Sequence, residues 1–291
     1  MVTVGLVSAG FMGAGLGRAL IGGGARVVTT LDGRSARTAR LATEAGLELL
    51  PTLADVVAAA DVVLSVTPPG AAVDTARAVA AAARQAGRLP GVESEAGGGL
   101  VVADLNAVSP ATMERVGAEL VGLRVVDGSI SGPPPSVKAG ARIYLSGAAA
   151  RVVAGLPWDG QVETVVVGER VGAASAVKMC TGSVYKGLTA LVTQAMRTAG
   201  AQGVLDFVVA DLERNGLGDS DGVARSATKA HRFVDEMREV AATQEAAGLS
   251  PALFSAIAEV YAGIARTELA VGDPEREREL TAAEVVARLR E

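Results

Sequence analysis

Three side chains able to move protons or fix anions fall within one short run, Lys178, Tyr185 and Lys186 in GAASAVKMCTGSVYKGLTAL. The pattern from Ala173 to Thr198 predicts a single helix. At helical spacing Ser175, Lys178, Gly182, Tyr185, Lys186 and Thr189 share one face, while Val177, Cys180, Val184, Leu188 and Leu191 share the other. A lysine can protonate a developing alkoxide, or take the proton from a hydroxyl, when partial burial and a nearby cation lower its pKa toward working pH. Lys186, two turns beyond Lys178, is expected to press in that direction. Lys178 is therefore the candidate acid–base group, with Tyr185 and Lys186 as assisting groups. The plainer reading of such a stripe is a solvated face. Cys180, on the apolar side, reads as an inert core residue.

A second constellation opens the chain. VTVGLVSAGFMGAGLGRAL reads as a strand, a glycine-rich turn and a helix. The dinucleotide pattern G-x-G-x-x-G falls on Ser8, Gly10 and Gly13, so its first glycine is a serine. Gly10 lets backbone approach a pyrophosphate, Gly13 lets helix and strand pack closely, and a helix beginning near Phe11 and Met12 offers unpaired N–H donors. The bland alternative is a glycine-rich turn with no ligand. About 20 residues further on, Asp32 stands where an acid can bind a ribose 2′-OH. Arg34 and Ser35 follow, with Arg37 nearby, and suit a 2′-phosphate, which favours NADP(H) over NAD(H). Thr67 and Pro68 in SVTPPG, and Asn106 in DLNAVSP, follow two further strands at ends where open α/β sheets bind ligands. Prolines there could equally be strand terminators.

The elements that must position these groups come in two blocks. Up to about residue 168, β-branched runs alternate with alanine-rich helical stretches, as in a doubly wound α/β domain. Strands are expected at Val2–Val7, Arg26–Leu31, Asp61–Val66, Gly99–Asp104, Leu123–Asp127, Ile143–Leu145 and Val162–Val167. Helices are expected at Met12–Gly22, Arg34–Ala45 and Ala71–Gln85, with loop over Gly87–Gly99. From residue 169 to 291 the pattern is almost all helix, over Ala173–Thr198, Ala201–Glu213, Asp221–Ala247, Pro251–Val271 and Pro274–Arg290, the last with Asp273 as N-cap. The expected organisation is a Rossmann nucleotide-binding domain over 1–168 and an all-α substrate and dimerisation domain over 169–291.

Composition narrows the chemistry. Of 291 residues 36 are glycine and only 8 aromatic, which suits close backbone packing and aliphatic cores. One cysteine, Cys180, and one histidine, His231, leave too few ligands for a structural zinc site and none to pair in a disulfide. With 27 basic against 32 acidic residues the net charge is −5, the wrong sign for a nucleic-acid binder. The mean hydropathy of +0.35 raises the question of a membrane span. The best stretch, Val2 to Gly24, holds eight glycines and Arg18 and lacks the basic start of a signal peptide, so a cytoplasmic protein is expected.

The order SAGFMG, TPP, DLNAVSP, DGSISG and GAASAVKMC resembles the β-hydroxyacid dehydrogenases, which include 3-hydroxyisobutyrate and 6-phosphogluconate dehydrogenases. VVTTLDGRS and VKMCTGSVYKGLTAL look closer still to a phosphogluconate-dehydrogenase-like branch of it. The resemblance implies NAD(P)-dependent oxidation of a hydroxy acid or its reverse, with Lys178 at the position of the acid–base lysine. It implies that Ser131 and Gly132 hold a polar or anionic end of the substrate. Three departures stand out: Gly182 where an asparagine is usual, Pro133 where a glycine would donate its N–H, and Asp235 with Glu236 where a Lys-Asp pair is common. On the helix KAHRFVDEMREV, His231 and Arg232 are candidate substrate contacts, although a lone histidine is more often structural.

Other classes fit less well. The residues four beyond Tyr144, Tyr185 and Tyr261 are not lysine, against a short-chain dehydrogenase, and GSISG has Ile130 where a serine hydrolase needs its nucleophile. An imine reductase would usually lack the lysine, a decarboxylating sugar-acid dehydrogenase remains open, and outside enzymes the rival is a catalytically silent NADP-binding sensor. The reading adopted is an NADP-dependent oxidoreductase of a small hydroxy acid or its carbonyl counterpart, working as a homodimer.

Overall fold

The computed structural model of the chain describes residues 1–89, 99–218, 220–274 and 280–290. They form two compact units, Met1–Lys178 and Met179–Glu291. The first contains β1 (Thr3–Val7), α1 (Phe11–Gly22), β2 (Arg26–Thr29), α2 (Ala36–Glu44), β3 (Glu48–Leu49), α3 (Leu53–Ala59), β4 (Val62–Ser65), α4 (Ala72–Gln85), β5 (Val101–Asp104), α5 (Pro110–Glu119), β6 (Arg124–Ser131), β7 (Ala141–Ser146), α6 (Ala150–Ala154) and β8 (Val162–Gly168). The sheet order is β3-β2-β1-β4-β5-β6-β7-β8. All neighbours are parallel except β6 and β7. The order reverses between β1 and β4, the point at which open α/β sheets offer a crevice at their carboxyl ends.

Two-residue alternation along the strands divides the core. Val4, Leu6 and Leu64 pack with Leu16 and Leu20 in one cluster, whereas Val7 and Val63 pack with Val57, Val79 and Met113 in another. Consecutive side chains on a strand point to opposite faces, so the sheet is covered on both. Each of these buried aliphatic side chains stabilises the fold by roughly 1.5–3 kcal/mol.

The expected α/β plan holds, with local differences. β3 is a two-residue, exposed edge strand, too short to carry a periodic signal. β6 runs four residues past Asp127, because Gly128–Ser131 pair with Arg142–Leu145 of β7 and so gain a ladder that no local pattern announces. Most of the loop expected over Gly87–Gly99 lies outside the described residues.

The helices α7 (Ala173–Ala201), α8 (Leu205–Arg214), α9 (Ser220–Ala227), α10 (Ala230–Ala246), α11 (Ala252–Ile264) and α12 (Ala282–Arg288) complete the chain, and the division between units falls within α7. α7 ends where Gly203 turns left-handed at φ +71° and the Val204 N–H returns to the Ala199 carbonyl, which satisfies a carbonyl at the helix end. The single helix expected over Asp221–Ala247 is broken at Thr228 and Lys229. There the Ser226 and Thr228 hydroxyls donate to the carbonyls of Val223 and Arg225, competing with the helical ladder. α11 gives way to a short 3-10 turn, Glu268–Ala270. Of the helix expected over Pro274–Arg290, residues 275–279 lie outside the described set, and α12 is capped by Thr281 with Glu284 in a reciprocal capping box. No helix among the described residues is long and apolar enough to cross a membrane.

Candidate functional site

The turn between β1 and α1 is shaped for a close approach. Ser8 holds a left-handed conformation, φ +76°, at the place of the first fingerprint glycine. A Cβ on Gly13 would lie 2.2 Å from the Ser8 carbonyl oxygen, so nothing larger than glycine fits there. A Cβ on Gly10 would meet only the Ser8 Oγ, at 3.9 Å, which leaves open space over the turn. Gly10 is the N-cap of α1 and carries no side-chain cap, and the first turn has no acidic residue. The N–H groups of Phe11 and Met12 at this terminus have no intrahelical acceptor and suit an anion. After β2, Asp32, Arg34 and Ser35 are all exposed around Gly33, whose φ is +66°. Ser35 caps α2 by accepting the Thr38 N–H.

Beyond β4 and β5 the expected contacts become a closed network. Asn106 is 2% exposed, and both ends of its amide are engaged: Oδ1 accepts the Thr67 N–H at 2.6 Å, and Nδ2 donates to Ser65 Oγ and Asp104 Oδ2. Read from sequence as a direct ligand, it instead fixes the Thr67 backbone. Thr67 Oγ1 is buried with no hydrogen-bond partner among the described residues. An orphaned hydroxyl at a strand end, an open glycine cradle and an uncapped helix terminus together fit a dinucleotide laid across the β1–β4 crevice. Pro68 is exposed at the start of a short 3-10 turn. Burial pushes the Asp104 carboxyl up to about 7, aided by the negative charge of Asp127 and opposed by the hydrogen bonds from Asn106 and Ser65.

Lys178 lies in the second turn of α7, half-buried, and donates from Nζ to the Ile130 carbonyl at 2.7 Å. Its strand neighbour Ser131 is half-buried, and Gly132 is exposed at φ +109°. Asp127, fully buried on the same strand, accepts the N–H groups of Gly172 and Ser175 at the start of α7.

In the second unit, Lys186 is paired with Glu236 at 2.5 Å; their side chains are 15% and 8% exposed. The Lys186 ammonium also lies 4.9 Å from the centre of the Phe233 ring, which meets Tyr261 edge-on. The Tyr261 hydroxyl donates to the Lys186 carbonyl. Lys186, expected from the sequence to press on Lys178 as a cation, is thus itself tied into an ion pair with Glu236. A Cβ at Gly182 would lie 3.4 Å from Glu236 Oε1 and 3.9 Å from Lys186 Nζ, so the missing side chain bares one flank of this pair. Burial and the positive charges of Arg232, Arg225 and Lys186 lower the pKa of Lys229. His231 and Arg232 are exposed.

The side of α7 expected to be buried is largely exposed. Cys180, Val184, Leu188 and Leu191 are exposed, as is Tyr185, so Cys180 is not a core residue. Small residues decide which side is buried. Cβ atoms added at Gly187 and Gly200 would touch Ile257 and Val286, so α11 and α12 approach along that line. Sequence reading missed Glu236 as the partner of Lys186, because no spacing links positions fifty residues apart. It also missed Ser8 as a left-handed serine, although the broken glycine pattern marked the position.

Residues 3–157 match the family model described as the NAD binding domain of 6-phosphogluconate dehydrogenase, and residues 199–264 match a domain of unknown function. An uncharacterized 28.5 kDa protein from Methanothermus fervidus is 28% identical over 187 residues, 64% of this chain and 67% of that protein. A conserved protein of unknown function, described as structurally similar to 3-hydroxyacid dehydrogenases, is 28% identical with a TM-score of 0.62, covering 90% of this chain and 96% of its own. The 3-hydroxyisobutyrate dehydrogenase of Mycobacterium tuberculosis shares the fold along the full length of both chains, with a TM-score of 0.68 at 19% identity.

Proposed function

The chain belongs to the β-hydroxyacid dehydrogenase family, NAD(P)-dependent dehydrogenases acting on CH–OH groups, and from that membership we propose an NADP-dependent oxidoreductase of a small hydroxy acid or its carbonyl counterpart. In this reading residues 1–168 bind the dinucleotide and residues 169–291 serve substrate binding and dimerisation. The observation that carries it is the half-buried Lys178, whose Nζ is fixed on the carbonyl of Ile130, the residue before Ser131 and Gly132. When bound, the nicotinamide supplies the hydride acceptor or donor. Lys178 takes the proton from the substrate hydroxyl during oxidation and returns it to the oxygen during reduction. Ser131 and Gly132 orient a polar end of the substrate, with His231 and Arg232 as further contacts and Tyr185 assisting, while Lys186 assists only from within its pair with Glu236. Pro133 supplies no N–H, so the Ser131 hydroxyl takes a larger share of that orientation.

For the cofactor, Gly10, Phe11, Met12 and Gly13 receive the pyrophosphate, Thr67 and Pro68 border the crevice, and Asn106 acts by fixing Thr67. Arg34 and Ser35, exposed beside Asp32, favour NADP(H). Calorimetric titration with NADPH and NADH tests this. Removal of a charge-assisted bond costs about 1.5–3 kcal/mol, so Arg34→Ala is expected to weaken NADPH binding roughly 10- to 100-fold and leave NADH unchanged. Unchanged NADPH affinity, or tighter NADH binding by the wild type, would refute the preference.

A further inference from the structure

Asp127 has four acceptor contacts and no exposure. Its Oδ2 accepts the Gly172 N–H at 2.8 Å, the Ser175 N–H at 3.1 Å and the Ser146 hydroxyl at 2.9 Å, while Oδ1 accepts the Ser175 hydroxyl at 2.6 Å. The Ser146 oxygen in turn accepts the Ala174 N–H at 3.1 Å, and the Ser129 hydroxyl donates to the Ala174 carbonyl at 2.8 Å. The backbone amides that open α7, which a helix cannot satisfy for itself, are thus held by one carboxylate and the serines around it. Three residues along β6 from Asp127, the Ile130 carbonyl accepts Lys178 Nζ. Strand and helix are joined twice, at the helix start and again one turn on.

We propose that Asp127 is a positioning residue for Lys178: it fixes the first turn of α7 against β6 and so sets where the ammonium sits. The role of Lys178 rests on the function proposed above, whereas its placement by Asp127 is independent of that. A carboxylate offers acceptors on every side and matches this ring of donors. An amide matches it less well: with its oxygen in the Oδ2 position its NH2 faces the Ser175 hydroxyl, which must turn from donor to acceptor, and the charge that strengthens all four bonds is lost. Asp127→Asn therefore keeps the size and weakens the hold.

Competitive labelling with acetic anhydride, read by peptide mass spectrometry, needs no substrate. Loss of a local hold of about 1 kcal/mol corresponds to about a fivefold gain in Lys178 labelling in Asp127→Asn, measured against the exposed Lys138. Lys186, buried in its ion pair, is expected to label as in the wild type. No change at Lys178, or an equal gain at Lys186, would overturn the proposal, the latter because it reports general loosening. If Asp127→Asn fails to fold, Ser175→Ala, which frees only Oδ1, is read the same way, with a smaller gain at Lys178 supporting the proposal and none refuting it. In turnover, Asp127→Asn is expected to lower kcat with NADPH affinity unchanged. Turnover persisting in Lys178→Ala would remove the catalytic reading while the labelling result stands.

Discussion

Gly13 shows how much a single position can carry. The methyl group of an alanine would need to occupy a point 2.2 Å from the Ser8 carbonyl oxygen, well inside any contact distance, and the neighbour is backbone that cannot swing away. Gly13→Ala is therefore expected to destabilise the protein by about 1–3 kcal/mol, as overpacking does. It should also abolish the stabilisation of about 2.7 kcal/mol that NADPH confers at 100 times its dissociation constant. Thermal unfolding with and without NADPH measures both. Gly13 was legible from spacing alone, since only glycine serves there. Ser8 was legible as an oddity and not as a geometry, because a serine carries no signal that its φ will be +76°. Lys178 was legible as a residue, yet its acceptor, a backbone carbonyl, has no identity that a sequence could display.

Strand ends and helix starts are the elements that assemble the site, and their coupling was the least legible part. DLNAVSP and DGSISG were marked as site segments, but the register that sets Asp104 beside Asp127 appears only with the sheet. That pairing has a pH signature. Asp104 sits at about 7 against an ordinary 3.8, mainly from burial, so between these values the folded protein keeps a proton that the unfolded chain has lost. Stability accordingly falls as pH rises through that window, by on the order of 4 kcal/mol in all and roughly 2–3 kcal/mol of it between pH 5 and pH 8, and levels off above it. Urea unfolding at pH 5 and pH 8 should show the decline in the wild type and a much flatter profile in Asp104→Asn. The buried side of α7 was misread because hydrophobicity was taken as the guide, whereas Gly182, Gly187 and Gly200 let the neighbouring helices close in.

At the scale of the molecule, the α/β-then-α plan was legible because alternating β-branched runs and a long helical remainder differ in period over many residues. A homodimer was expected as well, but the surface that would form it was not legible, because apolar residues on a helix do not say whether they face a core or a partner. Val184, Leu188 and Leu191 are 63%, 40% and 60% exposed on α7, an apolar row of the kind that marks an interface. The account expects a homodimer that Leu188→Glu with Leu191→Glu converts to a monomer in sedimentation velocity, while a wild-type monomer at micromolar concentration would refute it. In the proposed NADP-dependent oxidation of a hydroxy acid, the proton passes through Lys178. Reduction of NADP+ across a panel of small β-hydroxy acids, with wild type and Lys178→Ala side by side, tests this role. Turnover by the wild type is expected on at least one of them, with a loss of about 10²- to 10⁴-fold in kcat for the variant and NADPH affinity unchanged. Wild-type rates in Lys178→Ala, or no turnover of any hydroxy acid by a wild type that binds NADPH, would contradict it.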